Sequence, residues 1–209
     1  SIIEECLKNG VSDYIKKPYD AEEIVYKINR NCNQLYKLRE YKLRLDKLAN
    51  LATIDQLSKA TSKMQMQAIL KHRIGYFNRY KEDTSIIYLS LINIDKLIGT
   101  FGLEKGEQII SHFSKLLKSF IRESDVLARW AGSDFILLLT NTSEEGAKFI
   151  ARKLKTKLND REIIKGIKPD MAFGITGFTE DDDLKDIVER VKYALNEAKK
   201  QEYGRIAIA

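Results

Sequence analysis

Between Met64 and Ile208 the apolar residues switch repeatedly between helical and strand spacing, and once two strand-like runs follow each other directly. Strands that alternate with helices, broken by a single hairpin, restrict the chain to a sheet with helices packed against it. The predicted order is helix Met64–Tyr80, strand Ser85–Ile94, helix Leu103–Arg122, then a hairpin of Val126–Trp130 and Phe135–Thr140. Helix Glu144–Leu158, strand Met171–Thr176, helix Leu184–Lys200 and strand Arg205–Ile208 complete it. The fold class is therefore α/β of the α+β kind, a mixed sheet with a β-hairpin and surrounding helices. With 209 residues and 44% hydrophobic content, the chain can bury one good core, or one core and a small appendage.

Ahead of this pattern runs a helix without a stop signal from about Ala21 to Ala52. Its apolar positions step by three and four through Ala21, Ile24, Ile28, Asn31, Leu35, Leu38, Lys42, Leu45, Ala49 and Ala52. That is a heptad seam. At 1.5 Å per residue it reaches ~45 Å, too long to pack wholly on a small domain, and a parallel two-stranded coiled coil is the natural way to cover it. Asn31 and Lys42 weaken the seam but fix register and strand number. Asp20 is placed to cap the helix, and Glu22 and Glu23 in its first turn suit the helix dipole.

Several kinds of chemistry have little material here. Cys6 and Cys32 lack the paired spacing of a zinc site or disulfide framework, and the only histidines, His72 and His112, lie inside helical patterns. A Cys/His or Ser/His/Asp nucleophile arrangement has as little to draw on. No apolar run is long enough to span a bilayer and the start does not read as a secretory signal, so we expect a cytoplasmic protein that does not engage membrane. The absence of an initial Met and the opening in mid-pattern point to a piece of a longer protein. The 36 basic residues exceed the 30 acidic ones modestly, with an excess between Lys27 and Lys47. A basic coiled coil gripping nucleic acid is the rival this excess raises; a solvated helix face is the plainer reading, and no nucleic-acid partner is expected.

Two resemblances carry the functional expectation. Gly10-Val11-Ser12-Asp13-Tyr14-Ile15-Lys16-Lys17-Pro18-Tyr19 resembles the last strand of a response-regulator receiver domain, with a short strand Asp13–Lys16 broken by Pro18. In that family the lysine at the Lys17 position contacts a phosphoryl group, and the Lys-Pro bond is commonly cis. Residues 1–31 are then the end of a receiver domain and 32–52 a stalk continuous with the preceding helix.

The second covers residues 51–209, with the domain itself at 53–209. Leu51-Ala52-Thr53-Ile54-Asp55-Gln56-Leu57-Ser58, Phe101-Gly102 with Gly106-Glu107, Ala172-Phe173-Gly174-Ile175, and Ala194-Leu195 with Ala198-Lys199 and Gly204-Arg205 resemble, in order, the landmarks of the GGDEF diguanylate cyclase family. The signature turn itself reads Ala131-Gly132-Ser133-Asp134-Phe135. The resemblance implies a nucleotide-cyclase-like fold, and in the family it implies two carboxylates holding divalent metal to neutralise GTP triphosphates. One is the third signature residue, here Ser133. The other ends the strand before the first core helix; an ungapped alignment puts Ser90 there and Ile98 at the guanine-contacting asparagine, and a three-residue deletion puts Asn93 there instead. Strand alternation turns Asp134 away from Ser133. The signature is thus degenerate, no catalytic residue and no metal ligand is assigned, and magnesium enters only if the chain is an active cyclase with atypical ligands.

Other positions are kept. Arg122-Glu123-Ser124-Asp125 sits at the right distance before the turn to match the family's R-x-x-D inhibitory site for cyclic di-GMP, where arginine grips phosphate or guanine and aspartate accepts guanine N–H groups. The plainer reading is a helix-end arginine and a turn aspartate. Lys153, Lys155 and Arg152 are candidates for a second cation. Glu107 matches a guanine-contacting acid, and Lys199 and Arg205 match phosphate-binding positions. The expectation is a response-regulator output module, homodimeric through its stalk, that binds cyclic di-GMP or a protein partner.

Overall fold

The computed structural model describes residues 14–15, 17–51, 53–201 and 205–209, and the chain divides after Leu51 into two units. In the first, α1 (Ala21–Leu51) is one 31-residue helix. Asp20 caps it as its sequence predicts, its Oδ1 accepting the Glu22 N–H at 2.8 Å. The seam residues Ile28, Leu35, Leu38 and Leu45 are exposed in the single chain, as are Tyr26, Tyr36, Tyr41 and Leu43 on flanking positions. The Lys17-Pro18 peptide is cis. Both ends of the strand expected at Asp13–Lys16 lie outside the described residues, as does Gly204 of the closing motif.

The second unit begins with α2 (Lys63–Tyr80), whose Ser62 cap accepts the Gln65 N–H. β1 (Thr84–Leu91), α3 (Ile94–Phe101), α4 (Leu103–Lys118), β2 (Val126–Ala131) and β3 (Asp134–Thr140) follow. After them come α5 (Glu144–Asn159), β4 (Met171–Gly177), α6 (Leu184–Lys200) and β5 (Ile206–Ile208). The strands form one five-stranded sheet in the order β2-β3-β1-β4-β5, antiparallel except for the β4–β5 pair. It is the mixed sheet with one hairpin that the alternation predicted.

Strand alternation sorts the core into two layers. Ile87, Leu89 and Leu91 of β1 join Phe135, Leu137 and Leu139 of β3 under Ile109, Phe113 and Leu117 of α4 and Ala151 and Leu154 of α5. Ile86 and Tyr88 join Ile136 and Leu138 under Met66, Leu70 and Ile74 of α2 and Ile187, Val191 and Leu195 of α6. Helix α6 approaches β4 so closely at Gly174 that an added Cβ would stand 2.5 Å from Val191 O and 2.7 Å from Leu195 Cα. Only glycine fits there.

Two boundaries of the second unit fall three or four residues from the sequence pattern, and the others within one. β1 stops at Leu91 rather than Ile94: the chain turns at Ile92-Asn93, and the buried Ile94 opens a separate helix, α3. Three branched apolar residues at 91, 92 and 94 made the run look longer than the strand. Helix α4 stops at Lys118 rather than Arg122, where the Ser119 N–H closes back on Lys115 O and Leu116 O; Phe120 and Ile121 still pack on the core, off the helix. β5 begins at Ile206, one residue after its predicted start.

Candidate functional site

The end of β1 and the β2–β3 turn converge. β1 pairs with β3 in a register that sets Ser90 opposite Asp134, so both side chains leave the same face of the sheet. Ser90 Oγ donates to Asp134 Oδ1 at 2.5 Å, and the Tyr88 hydroxyl, two residues back on that face, donates to Asp134 Oδ2 at 3.2 Å. Burial first, and then the Asp134 charge and hydrogen bond, push the Tyr88 pKa well above its ordinary value, which keeps the phenol protonated as the donor. Asp134 does turn from Ser133 as alternation predicts, but it turns toward Ser90, the other position at issue.

The turn is a two-residue loop, Gly132-Ser133, between paired Ala131 and Asp134, with Gly132 at φ 50. Glycine takes that conformation at no steric cost. Ser133 Oγ donates to Leu91 O at 3.2 Å. Arg129 braces the turn from behind: its Nε donates to Gly132 O at 2.8 Å, and its Nη1 reaches Asp55 Oδ1 and Oδ2 at 3.3 and 3.4 Å. Burial raises the Asp55 pKa, but the Ser58 hydrogen bonds and Arg129 together outweigh it and hold the carboxyl below its ordinary value. The opening motif at Leu51–Ser58 and the signature turn are therefore joined by an ion pair, a link that no local pattern in the sequence announces.

Between these elements lies a cleft of about 390 Å³, walled by Ile92, Ile94, Ile98 and Ile110, with Ser90, Ser133, Asp95, Asp134 and Lys199 as its polar groups. Ile98 lies against Gly106 of α4. Lys199 thus faces the cleft, whereas Glu107 is exposed and outside its lining, and Arg205 is held elsewhere by Asp170 Oδ1 at 2.5 Å and Gln201 O at 3.2 Å. Asn93, the site of the gapped alignment, is also off the cleft; its Oδ1 is buried without a hydrogen-bond partner among the described residues. Magnesium takes hard, usually anionic, oxygens. Ser90 and Ser133 offer neutral hydroxyls already turned to acceptors of their own, so the residues at these two positions do not fit it. Among the described residues, no three His, Cys, Asp or Glu side chains gather into a metal-binding group.

A second depression, about 460 Å³, is lined by Thr61, Lys118, Ile121, Arg122, Glu123, Asp125, Val126 and Leu127. It brings Arg122 and Asp125 together. Asp125 Oδ2 accepts the Arg122 backbone N–H at 3.1 Å, and the Asp125 N–H returns to Arg122 O at the same length. This is the closed turn of the plainer reading, and it leaves the exposed guanidinium without a hydrogen bond or ion pair to a described side chain. Burial raises the Asp125 pKa above its ordinary value, against the opposing pull of the Arg122 N–H and charge.

None of Arg152, Lys153 and Lys155 lines this depression. Lys155 stands with Arg205 and Asp170: burial, then the Arg205 charge, lower its pKa, with Asp170 opposing. The lysine that does line it is Lys118, whose Nζ donates to Lys59 O. The sequence held a signal for it, since Lys118 precedes Arg122 by four residues, the spacing of neighbours on one helix face.

Comparison with known proteins places this architecture. The family described as "Diguanylate cyclase, GGDEF domain" matches residues 52–205. The chain belongs to the GGDEF family. Diguanylate cyclase A of Treponema denticola is 26% identical over 169 residues, 78% of this chain and 46% of that protein. The response regulator PleD of Caulobacter vibrioides is 22% identical over 151 residues, 72% of this chain and 33% of that protein. The coiled coil and GGDEF domain of DgcB from Caulobacter crescentus, solved in complex with c-di-GMP, superposes with a TM-score of 0.70 at 14% identity, covering 89% of this chain and 99% of that one. At that identity the likeness establishes the GGDEF fold and a preceding long helix. The chain spans about half the length, or less, of the curated relatives it matches. No described helix is long and apolar enough to cross a membrane.

Proposed function

We propose that this chain is the output module of a cytoplasmic response regulator, with a receiver end at 1–31, a stalk at 32–52 and a GGDEF domain at 53–209 that no longer joins GTP and instead binds cyclic di-GMP through Arg122 and Asp125. The observation that carries it is an asymmetry between the two sites. At the cleft, both positions that the family gives to metal carboxylates hold serine, and each hydroxyl is engaged within the protein, by Asp134 and by Leu91 O. At the depression the guanidinium faces outward with its ligand-binding donors open. A protein partner is the function left if no nucleotide binds.

Calorimetric titration with cyclic di-GMP tests the binding half. The unmodified protein should bind, and Arg122→Ala should weaken binding by at least about 1.5 kcal/mol, the scale of a charge-assisted hydrogen bond. Asp125→Ala should weaken it less, because Asp125 is half-buried in its own turn and water can satisfy exposed guanine donors. Saturation that Arg122→Ala leaves unchanged would move the ligand elsewhere.

One observation favours a second reading, an active cyclase with atypical ligands: Asp95 and Asp134 both line the cleft with Lys199. Asp134 already accepts one hydroxyl on each oxygen, so a metal there would compete with Ser90 and Tyr88 for its charge.

The exposed seam of α1 supports a parallel homodimer. Changing Leu35 and Leu38 to Asp should convert dimer to monomer in sedimentation velocity, since charges at seam positions cannot be buried unpaired. A monomeric unmodified chain at high concentration would remove the stalk from this reading.

A further inference from the structure

Resting on the ligand reading above, we propose that Lys118 is the second cation of the Arg122/Asp125 site, so that a single chain meets both phosphodiester groups of a cyclic dinucleotide. Such a ligand carries two negative charges. The depression holds two cations, Lys118 and Arg122, against two carboxylates, Glu123 and Asp125. Without Lys118 the lining would be net negative and would repel the ligand it faces.

The geometry singles out this lysine. It lies in the last turn of α4, where the helix dipole favours a cation, and it lines the same depression as the open guanidinium. Its ammonium donates to the neutral Lys59 carbonyl. A phosphate oxygen carries a full negative charge where the carbonyl carries only a partial one, so Coulomb attraction lets the ligand draw the ammonium across. The cations of α5 are placed otherwise. Lys155 is gathered with Arg205 and Asp170, Lys157 stands over the Phe120 ring at 5.0 Å, and Arg152 and Lys153 lie outside the lining.

The test is calorimetry with cyclic di-GMP on the whole chain. Lys118→Met keeps the aliphatic stem and removes the charge, and it should weaken binding about tenfold, the equivalent of one charge-assisted hydrogen bond. Lys118→Arg should return affinity to within about threefold of the unmodified chain, which a merely structural role at the Lys59 carbonyl would not require. The pair Arg152→Met with Lys153→Met should bind like the unmodified chain. If Lys118→Met binds unchanged, or if the α5 pair alone loses tenfold, the second cation is not Lys118 and the inference is overturned. Failure of the unmodified chain to bind would overturn the ligand reading itself, a result distinct from binding that ignores Lys118.

Discussion

Purified protein given GTP with magnesium or manganese is expected to make no detectable cyclic di-GMP. Condensing two triphosphates requires a divalent ion to neutralise charge as the attacking and leaving oxygens develop it, and the protein must hold that ion with anionic oxygens. Ser90 and Ser133 supply none, and their hydroxyls are donors to Asp134 and Leu91 O. Losing only an outer partner of a metal ligand costs about 10–100-fold in affinity or activity. Losing the charge of two ligands outright should cost more than that at each. In the ungapped alignment Ile98 also stands where the family resemblance gives a guanine-contacting asparagine, so a base placed there would lack that hydrogen-bonding partner. Sustained product above a no-enzyme control, by chromatography over several hours, would establish the atypical-ligand reading and end this one.

The layers of the fold were legible because they rest on local periodicity. The strand over Ser85–Ile94 and the helix over Leu184–Lys200 are read from apolar spacing, and the structure adds a reciprocal cap between Asp183 and Asp186. Boundaries failed where apolar residues serve the core from outside a regular element. Ile94, Phe120 and Ile121 all extend a pattern that the backbone has already left, because burial and secondary structure are separate demands.

The cleft was legible in position and less so in its bonding. Alternation along one strand fixes Asp134 relative to Ser133, but only the β1–β3 register brings it against Ser90, and register is set by pairing across 44 residues of chain. The Asp55–Arg129 ion pair, which spans 74 residues, was hidden for the same reason. The cations expected from the next helix, Arg152, Lys153 and Lys155, do not line the depression, whereas Lys118, four residues before Arg122, does. The helix end at Lys118 does not separate the two residues, since both line the depression.

Asp182→Ala should destabilise the GGDEF unit by about 3 kcal/mol, a large part of the 5–15 kcal/mol that holds a typical domain together. Arg190 on α6 donates from Nη1 and Nη2 to the two Asp182 oxygens at 2.7 Å each, and from Nε and Nη2 to Thr176 Oγ1 and Gly177 O at the end of β4. The Thr179 N–H adds a further donor to Asp182 at 2.7 Å. The Asp182 side chain is only 5% exposed, so its removal leaves a largely enclosed guanidinium without its counter-charge. Burial raises the Asp182 pKa, while Arg190 and the Thr179 bonds outweigh it, and the carboxyl lies below its ordinary value. A depressed carboxylate contributes fully above its unfolded pKa of about 3.9 and loses that contribution as pH falls through the lower folded value. The difference in urea unfolding free energy between the two proteins should therefore stay flat from neutral pH to about pH 5 and shrink as the pH falls below about 3.9. A difference under 1 kcal/mol at neutral pH, or one that grows on acidification, would show that the Asp182–Arg190 pair does not hold α6 to β4.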